Sequence, residues 1–274
     1  MKPAPFALAL SLGGLLSASA PAAPAPAHPE QLNKAVQAAL GTCGVRPRLS
    51  GDLGEAAADL MAGYALEQAL PRHSYRAHRA QGWSSTYHGD LAWVGRKLGE
   101  QCGKWQDYAE YGLATDGTRM ALVLGTPARV DLTQSRRWLN DFLSATNRAR
   151  AQGQKCGSKL MNAVGPLKWD TRLEAAAARH ATDMVKLDFR GHTNPRDGSG
   201  PLERAQGYGF RGSVGENIQY GSITAGEAVK HLLTSPGHCE NLMRPEWKLF
   251  GAAVNNGTTK TLFATYWVQV FGAE

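Results

Sequence analysis

Several short motifs from the first half of the chain recur, in the same order, in the second half, and this internal repeat most strongly constrains the fold. The clearest is the tetrapeptide Glu-Ala-Ala-Ala, which occupies residues 55–58 and again residues 174–177. His73 and His192 are separated by the same interval. Further matches pair residues 79–83 with 204–208, 116–118 with 256–258, and 123–125 with 270–272.

This ordered series predicts two related domains in tandem. A chain of 274 residues is long enough for one large domain or two small ones, so length alone leaves both open. The repeat favours two, which we place at residues 30–126 and 133–274.

The four cysteines fit the same division. They allow three pairings. A duplicated domain favours the pairing in which each copy closes its own loop, Cys43 with Cys102 and Cys156 with Cys239. The alternative is free or metal-binding thiols, which the absence of CxxC spacing disfavours.

The first 29 residues are predicted to precede the folded part. Lys2, an apolar run over residues 6–16 and small residues around 18–22 are typical of a cleaved secretory signal, which we assign to residues 1–22. An uncleaved anchor is the alternative. Residues 23–29 form a Pro/Ala linker. We therefore expect a secreted or periplasmic protein that is not an integral membrane protein.

The net charge of +7 indicates an anionic partner rather than a particular fold. Lys and Arg are scattered and no recognised nucleic-acid motif is present, so we expect no nucleic-acid partner. A lipid or an anionic polymer of the cell envelope is the partner class that we predict, and solubility alone is the alternative.

The pattern of apolar residues predicts helices first and strands last. Positions 138, 139, 142, 143 and 146 repeat at helical spacing, and residues 173–186 form a second, Ala-rich helix. Residues 249–254 and 261–271 read as the two strands of a β-hairpin. This order predicts the α+β class or a helix–sheet–helix sandwich.

Three loop motifs in the second copy carry ionisable groups: His192 after the Ala-rich helix, Glu216 in Gly-Glu-Asn-Ile, and His238 in Ser-Pro-Gly-His. With residues 207–208, 241–242 and 266–271 they resemble the bacterial branch of the CAP superfamily. These are the cysteine-rich secretory, antigen 5 and pathogenesis-related 1 proteins, also called SCP-like extracellular proteins.

The resemblance implies an α-β-α sandwich of the CAP type in two tandem copies, the first degenerate. It also implies a central cavity with two histidines and one or two acidic residues, in which some members bind a divalent metal. The matching positions here are His192, Glu216 and His238. The chain departs from the family at Leu232, where tryptophan is usual, and it has no clear second acidic residue, Glu227 and Glu240 being candidates.

Three interpretations of this cavity remain open. Two imidazoles and a carboxylate suit Zn²⁺ or another divalent cation, with a fourth position for water. A hydrogen-bonded polar cluster that holds the loops is the second. A serine-type hydrolase using Ser235, His238 and Glu216 is the third, although no oxyanion-hole motif accompanies it. We favour a binding or interaction module over a metal-dependent or serine-type hydrolase.

Two further expectations concern histidines outside this set. His180, on the Ala-rich helix, is predicted to be a packed structural residue. In the first copy His73 is retained, but Asp90 stands near the position of Glu216 and Gln101 aligns with His238. Because glutamine is a poor zinc ligand, we expect no metal site in the first copy.

Overall fold

Two four-stranded sheets organise the chain, one in each half. The computed structural model describes residues 28–274, so the predicted signal peptide and residues 23–27 of the linker lie outside the described residues. Residues 28–127 are called the first half below, and residues 132–274 the second half.

The first half contains four helices and four strands, with a short 3-10 helix at Cys102–Lys104. They are α1 (Pro29–Thr42), β1 (Arg48–Leu49), α2 (Gly51–Met61), α3 (Leu66–Arg72), β2 (Ala77–Thr86), α4 (Leu91–Gly99), β3 (Glu110–Thr115) and β4 (Arg119–Pro127).

The second half begins with a 3-10 turn at Leu132–Gln134 and adds a small hairpin, β5–β6, to a comparable set. Its elements are α5 (Ser135–Gln152), β5 (Gln154–Cys156), β6 (Lys159–Met161), β7 (Lys168–Trp169), α6 (Thr171–Leu187), α7 (Pro201–Gly207), β8 (Ser213–Tyr220), α8 (Ala225–Thr234), α9 (Pro236–Leu242), β9 (Leu249–Asn256) and β10 (Thr265–Ala273). The predicted C-terminal hairpin is therefore present as β9 and β10.

The two sheets have the same strand order and the same strand directions. The orders are β1-β3-β4-β2 and β7-β9-β10-β8. In each sheet the short first strand is parallel to its neighbour and the other pairs are antiparallel. Helices cover both faces of each sheet, which makes the architecture a helix–sheet–helix sandwich of the α+β class.

The helix after each first strand begins in the same way. Ser50 is the N-cap of α2 and Asp170 the N-cap of α6. The amide of Ser50 donates to Tyr111 O at 2.8 Å, and the amide of Asp170 donates to Phe250 O at 2.8 Å. These bonds set a residue-by-residue correspondence between the halves.

A glycine in each sheet lets that helix rest directly on a strand. A Cβ at Gly112 would lie 2.1 Å from the amide nitrogen of Gly54 on α2. A Cβ at Gly251 would lie 2.1 Å from the amide nitrogen of Glu174 on α6. No side chain fits at either position, because two backbones approach each other there.

The disulfides are Cys43–Cys102 and Cys156–Cys239, the pairing that the repeat predicts. The first connects the end of α1 to the segment after α4, and the second connects β5 to α9. Within residues 28–274 no helix is long and apolar enough to cross a membrane.

Arg150 on α5 is the most deeply buried cation of the second half that has no acidic partner. Its guanidinium donates to the carbonyl oxygens of Gly165 (2.9 Å), Leu242 (2.7 Å), Arg244 (3.0 Å) and Trp247 (3.2 Å). Its burial lowers the pKa of Arg150 to about 10. One side chain thus holds two loops against α5.

The halves contact each other through the loop between β9 and β10. The guanidinium of Arg76 donates to four backbone carbonyls of that loop, those of Thr258, Thr261, Leu262 and Phe263. The side chain of Asn256 bonds both the amide and the carbonyl of Val130, in the connection between the halves.

Candidate functional site

A buried carboxylate, Glu216 on β8, is the centre of the candidate site. Only 1% of its side chain is exposed. One oxygen accepts a hydrogen bond from Arg204 Nη2 at 2.8 Å, and the other lies 2.9 Å from His192 Nδ1. Because a carboxylate only accepts, Nδ1 of His192 carries the proton that faces it.

Arg204 on α7 connects the carboxylate of Glu216 to the loop in which His192 lies. The side chain is fully buried, and Nη1 donates to His192 O at 2.9 Å and to Ser199 O at 2.7 Å. The connection between α6 and α7 is thereby fixed in place. The predicted site omitted Arg204, since nothing in the local sequence distinguishes a buried arginine on a short helix from an exposed one.

His180 on α6 is the second residue of the cluster that sequence reasoning did not assign to the site. It is fully buried, as predicted for a packed residue, with Nε2 2.9 Å from Gly191 O and 3.6 Å from Glu216 Oε1. Its Nδ1 has no hydrogen-bond partner among residues 28–274. Burial lowers the pKa of His180, which favours the neutral ring.

His192 and His238 are the side chains of the cluster that remain accessible. Nearly half of the His192 side chain is exposed (48%), and with Nδ1 directed at Glu216 its Nε2 has no hydrogen-bond partner in the described part of the chain. His238 on α9 is half-buried. Burial, and next the charge of His192, lower the pKa of His238. A positive charge on His192 therefore makes protonation of His238 less favourable.

Asparagines position the helix of His238 against β8. Asn217 Nδ2 donates to His238 O at 3.0 Å, and Asn241 Nδ2 donates to Glu216 O at 3.1 Å and to Asn217 Oδ1 at 2.9 Å. Since successive residues of a strand point to opposite faces, Glu216 and Asn217 serve the two sides of β8. The disulfide at Cys239, next to His238, holds the same helix.

The other candidates from the sequence lie elsewhere. Ser235 is the N-cap of α9, and its hydroxyl makes no hydrogen bond with His238 in the described part of the chain. Glu227 accepts from the amide of Ile223 at 3.0 Å, and Glu240 pairs with Lys159 at 3.2 Å. Leu232 fills the core under α8. Neither glutamate joins Glu216.

The residues present do not fit a three-ligand metal site. Both oxygens of Glu216 are engaged, one of them by the cationic Arg204. Among residues 28–274 no three His, Cys, Asp or Glu side chains form a group that could hold a metal ion. The geometry therefore indicates that Glu216 orients His192 and does not coordinate a metal ion.

The equivalent place in the first half is filled by apolar groups. Gly82 lies opposite Val123 in the sheet, as Glu216 lies opposite Val270. Leu60 corresponds to His180 and Ala69 to Arg204. A Cβ at Gly82 would lie 2.6 Å from Leu60 Cδ2, so the leucine occupies the space of the carboxylate.

This correspondence corrects several sequence matches. Asp90 is the N-cap of α4, not a neighbour of the strand position of Glu216. His73 follows α3 and pairs with Asp59 at 3.0 Å, whereas His192 precedes α7. Residues 79–83 lie on a strand and residues 204–208 on and just after a helix, so that match is coincidental.

Gln101 directly precedes Cys102, as His238 directly precedes Cys239. Its side chain amide donates to Lys97 O at 3.3 Å on α4. It therefore faces its own helix rather than a polar cluster.

Acidification is expected to destabilise the protein through His180 and His238. The folded-state pKa values of His180 and His238 lie below the ordinary value of 6.5, so between those values the unfolded chain binds more protons. This stabilisation is full above pH 6.5 and is lost as pH falls through the folded pKa values. The slope is at most about 1.4 kcal/mol per pH unit for each histidine.

Urea unfolding at pH 7.5, 6.0 and 5.0 measures this effect. His180→Leu, which installs the residue found at Leu60, should flatten the profile. An equal slope in that variant would show that His180 does not contribute.

Comparisons with known proteins point to one family. The model of the cysteine-rich secretory protein family (CAP) matches residues 143–271. The uncharacterized protein YkwD of Bacillus subtilis (strain 168) is 32% identical over 113 residues, which are 40% of this chain and 41% of that protein. The match thus spans about two fifths of the length of this relative.

Two solved structures show a looser likeness. One is an extracellular protein containing an SCP domain from Bacillus anthracis, at 18% identity, covering 60% of this chain and 56% of that one, with a TM-score of 0.41. The other is Na-ASP-1, at 13% identity, covering 89% of this chain and 88% of that one, with a TM-score of 0.45.

Proposed function

Because residues 143–271 form a domain of the cysteine-rich secretory protein (CAP) family, we propose that this chain is an exported CAP protein whose second half is a binding module. The observation that carries the proposal is the hydrogen bonding of the Glu216 carboxylate. Both of its oxygens are satisfied by Arg204 and His192, so the carboxylate positions a ring and does not react.

The accessible groups of this site suit hydrogen bonding. His192 directs Nδ1 at Glu216 and presents Nε2 to a ligand, and His238 adds a second imidazole whose lowered pKa favours the neutral form. Such groups accept hydrogen bonds from hydroxyl or amide donors of a ligand. A polymer or a lipid headgroup of the cell envelope supplies donors of this kind.

The hydrolase alternative finds less support. A serine nucleophile needs a hydrogen bond to its base, and the hydroxyl of Ser235 has none to His238 in the described chain. A divalent cation, predicted from the sequence, would have to rely on the two imidazoles without Glu216 as a ligand. Metal analysis of the purified protein tests that prediction.

We also propose that the first half is a degenerate copy of the same domain. Identical strand orders and matching N-cap hydrogen bonds support this origin. The replacement of the polar cluster by Leu60, Ala69 and Gly82 supports the loss of its site.

Export is part of the proposal. Two disulfides and no free cysteine in the described residues suit an oxidising compartment outside the cytoplasm. Residues 1–22 would supply the signal. The Bacillus anthracis relative is described as extracellular.

The test measures binding in a double variant and hydrolytic activity in a single variant. We expect His192→Ala/His238→Ala, made in residues 23–274, to lose at least about tenfold in affinity for cell-envelope fractions, with the circular dichroism spectrum unchanged. His73→Ala in the first half is the matched control. Unchanged binding would overturn the proposal, and loss of an ester- or peptide-hydrolysing activity in His238→Ala would favour the hydrolase.

A further inference from the structure

A cavity of about 380 Å³ lies between the two halves and is lined by residues of both. The first half contributes the start of α2, Arg48 and Tyr75, and the connecting segment contributes Arg129. The second half contributes Thr258 and its neighbours in the loop between β9 and β10. The cavity exists because Arg76 holds that loop against the first half.

The walls of this cavity are positively charged. Arg48 and Arg129 both contact one oxygen of Glu110, the latter at 3.3 Å. Glu110 is almost fully buried, while 72% of the Arg48 side chain and 58% of the Arg129 side chain are exposed. An arginine has five N–H donors, so each keeps donors that the carboxylate does not use.

The balance of charges leaves an excess of cations. Arg76, the third guanidinium, bonds mainly backbone carbonyls and contacts no carboxylate among residues 28–274. Asp52 is the second carboxylate that lines the cavity. Three guanidiniums thus face two acids.

The N-terminus of α2 adds donors of the same kind. Ser50 caps the amide of Leu53, and the amides of Gly51 and Asp52 have no acceptor in the described part of the chain. First-turn amides and the helix dipole favour an anion. In the second half the equivalent cap is a carboxylate, Asp170, whose charge would repel one.

The fold does not require this polar cluster. The second-half residues equivalent to Arg48, Tyr75 and Glu110 are Lys168, Phe210 and Leu249, so the same sheet forms there with a leucine at the position of Glu110. Tyr75 is only 6% exposed, and burial and next the charge of the neighbouring Glu110 raise the pKa of its hydroxyl, which therefore stays protonated beside that carboxylate.

We propose that this cavity binds a small anionic group, a phosphate or a carboxylate, between the guanidiniums of Arg48 and Arg129 and the first amides of α2. The two arginines supply charge-assisted hydrogen bonds, and the helix supplies two backbone donors. Glu110 holds the arginines in position and partly neutralises them.

Calorimetry on residues 23–274 at low salt tests the proposal with three probes: inorganic phosphate, glucuronate and glucose. We expect both anions, or one of them, to bind and the neutral sugar not to bind. Binding of phosphate alone would indicate a phosphorylated ligand, and binding of glucuronate alone an acidic sugar. Binding of neither anion up to about 10 mM, or equal binding of glucose, would overturn the proposal.

Two variants with opposite expected effects locate the site. Arg129→Gln should weaken anion binding about tenfold or more, because a charged hydrogen bond is lost. Glu110→Gln should strengthen it several-fold, because the arginines are no longer neutralised. Arg119→Gln, which alters an exposed ion pair of the same half, is the control. Equal anion affinity in all three variants would overturn the assignment of the anion to this cavity.

This site is separate from the one formed by His192 and His238. The variant His192→Ala/His238→Ala should keep its anion affinity. Failure of the envelope-binding test and failure of the calorimetric test are therefore distinguishable.

Discussion

Glu216→Ala is expected to lower the free energy of unfolding by about 3–5 kcal/mol. The reason is that Arg204, fully buried, would keep its charge and lose its carboxylate partner. His192 would also lose the acceptor that orients it. Urea unfolding followed by circular dichroism measures the change.

The control for this prediction is Glu240→Ala, which removes a half-exposed ion pair with Lys159 and should cost about 1 kcal/mol or less. A second variant separates burial from pairing. Glu216→Gln combined with Arg204→Met removes both charges and should be less destabilised than Glu216→Ala. If the single substitution costs no more than the control, the buried pair does not stabilise the second half.

Arg150→Leu is expected to cost at least about 4 kcal/mol, because four backbone carbonyls lose their donor together. Leu242 and Trp247 are buried, so water does not readily replace the lost donor at their carbonyls. Arg150→Lys keeps the charge but not the planar fork, so we expect it to recover only part of the loss.

Arg148→Leu on the same helix is the matched control, since Arg148 is exposed. It should change the free energy of unfolding by no more than about 0.5 kcal/mol. A similar cost for both leucine variants would mean that the four carbonyls of the Arg150 site are solvated rather than held by the guanidinium.

The sequence predicts the parts of this molecule that are encoded locally. The pairing of Cys156 with Cys239 follows from the repeat, and the final hairpin follows from β-rich residues on either side of a Gly-containing turn. The Gly-Glu-Asn-Ile motif indicates where Glu216 is placed. Neighbouring residues carry the signal for the hairpin and for the motif, whereas the disulfide pairing is indicated by the similarity of the two halves.

Features that depend on tertiary contacts could not be predicted in this way. Arg150 and Arg204 are buried because of carbonyls and a carboxylate that lie far away in the chain or on another element. The similarity of residues 79–83 to residues 204–208 does not reflect equivalent positions, because the same amino acids lie on a strand in one half and on a helix in the other. His73 does not correspond to His192 for a different reason: the loop before α7, which carries His192, is longer than its counterpart before α3.

Leu60, which lies over Gly82, opposes the introduction of a polar cluster like that of Glu216 into the first half. A carboxylate introduced at Gly82 would collide with Leu60 and would be buried without a cation, since Ala69 replaces the arginine. Building such a cluster in the first half therefore needs changes at three positions together. We expect each of these changes alone to destabilise that half without creating the cluster.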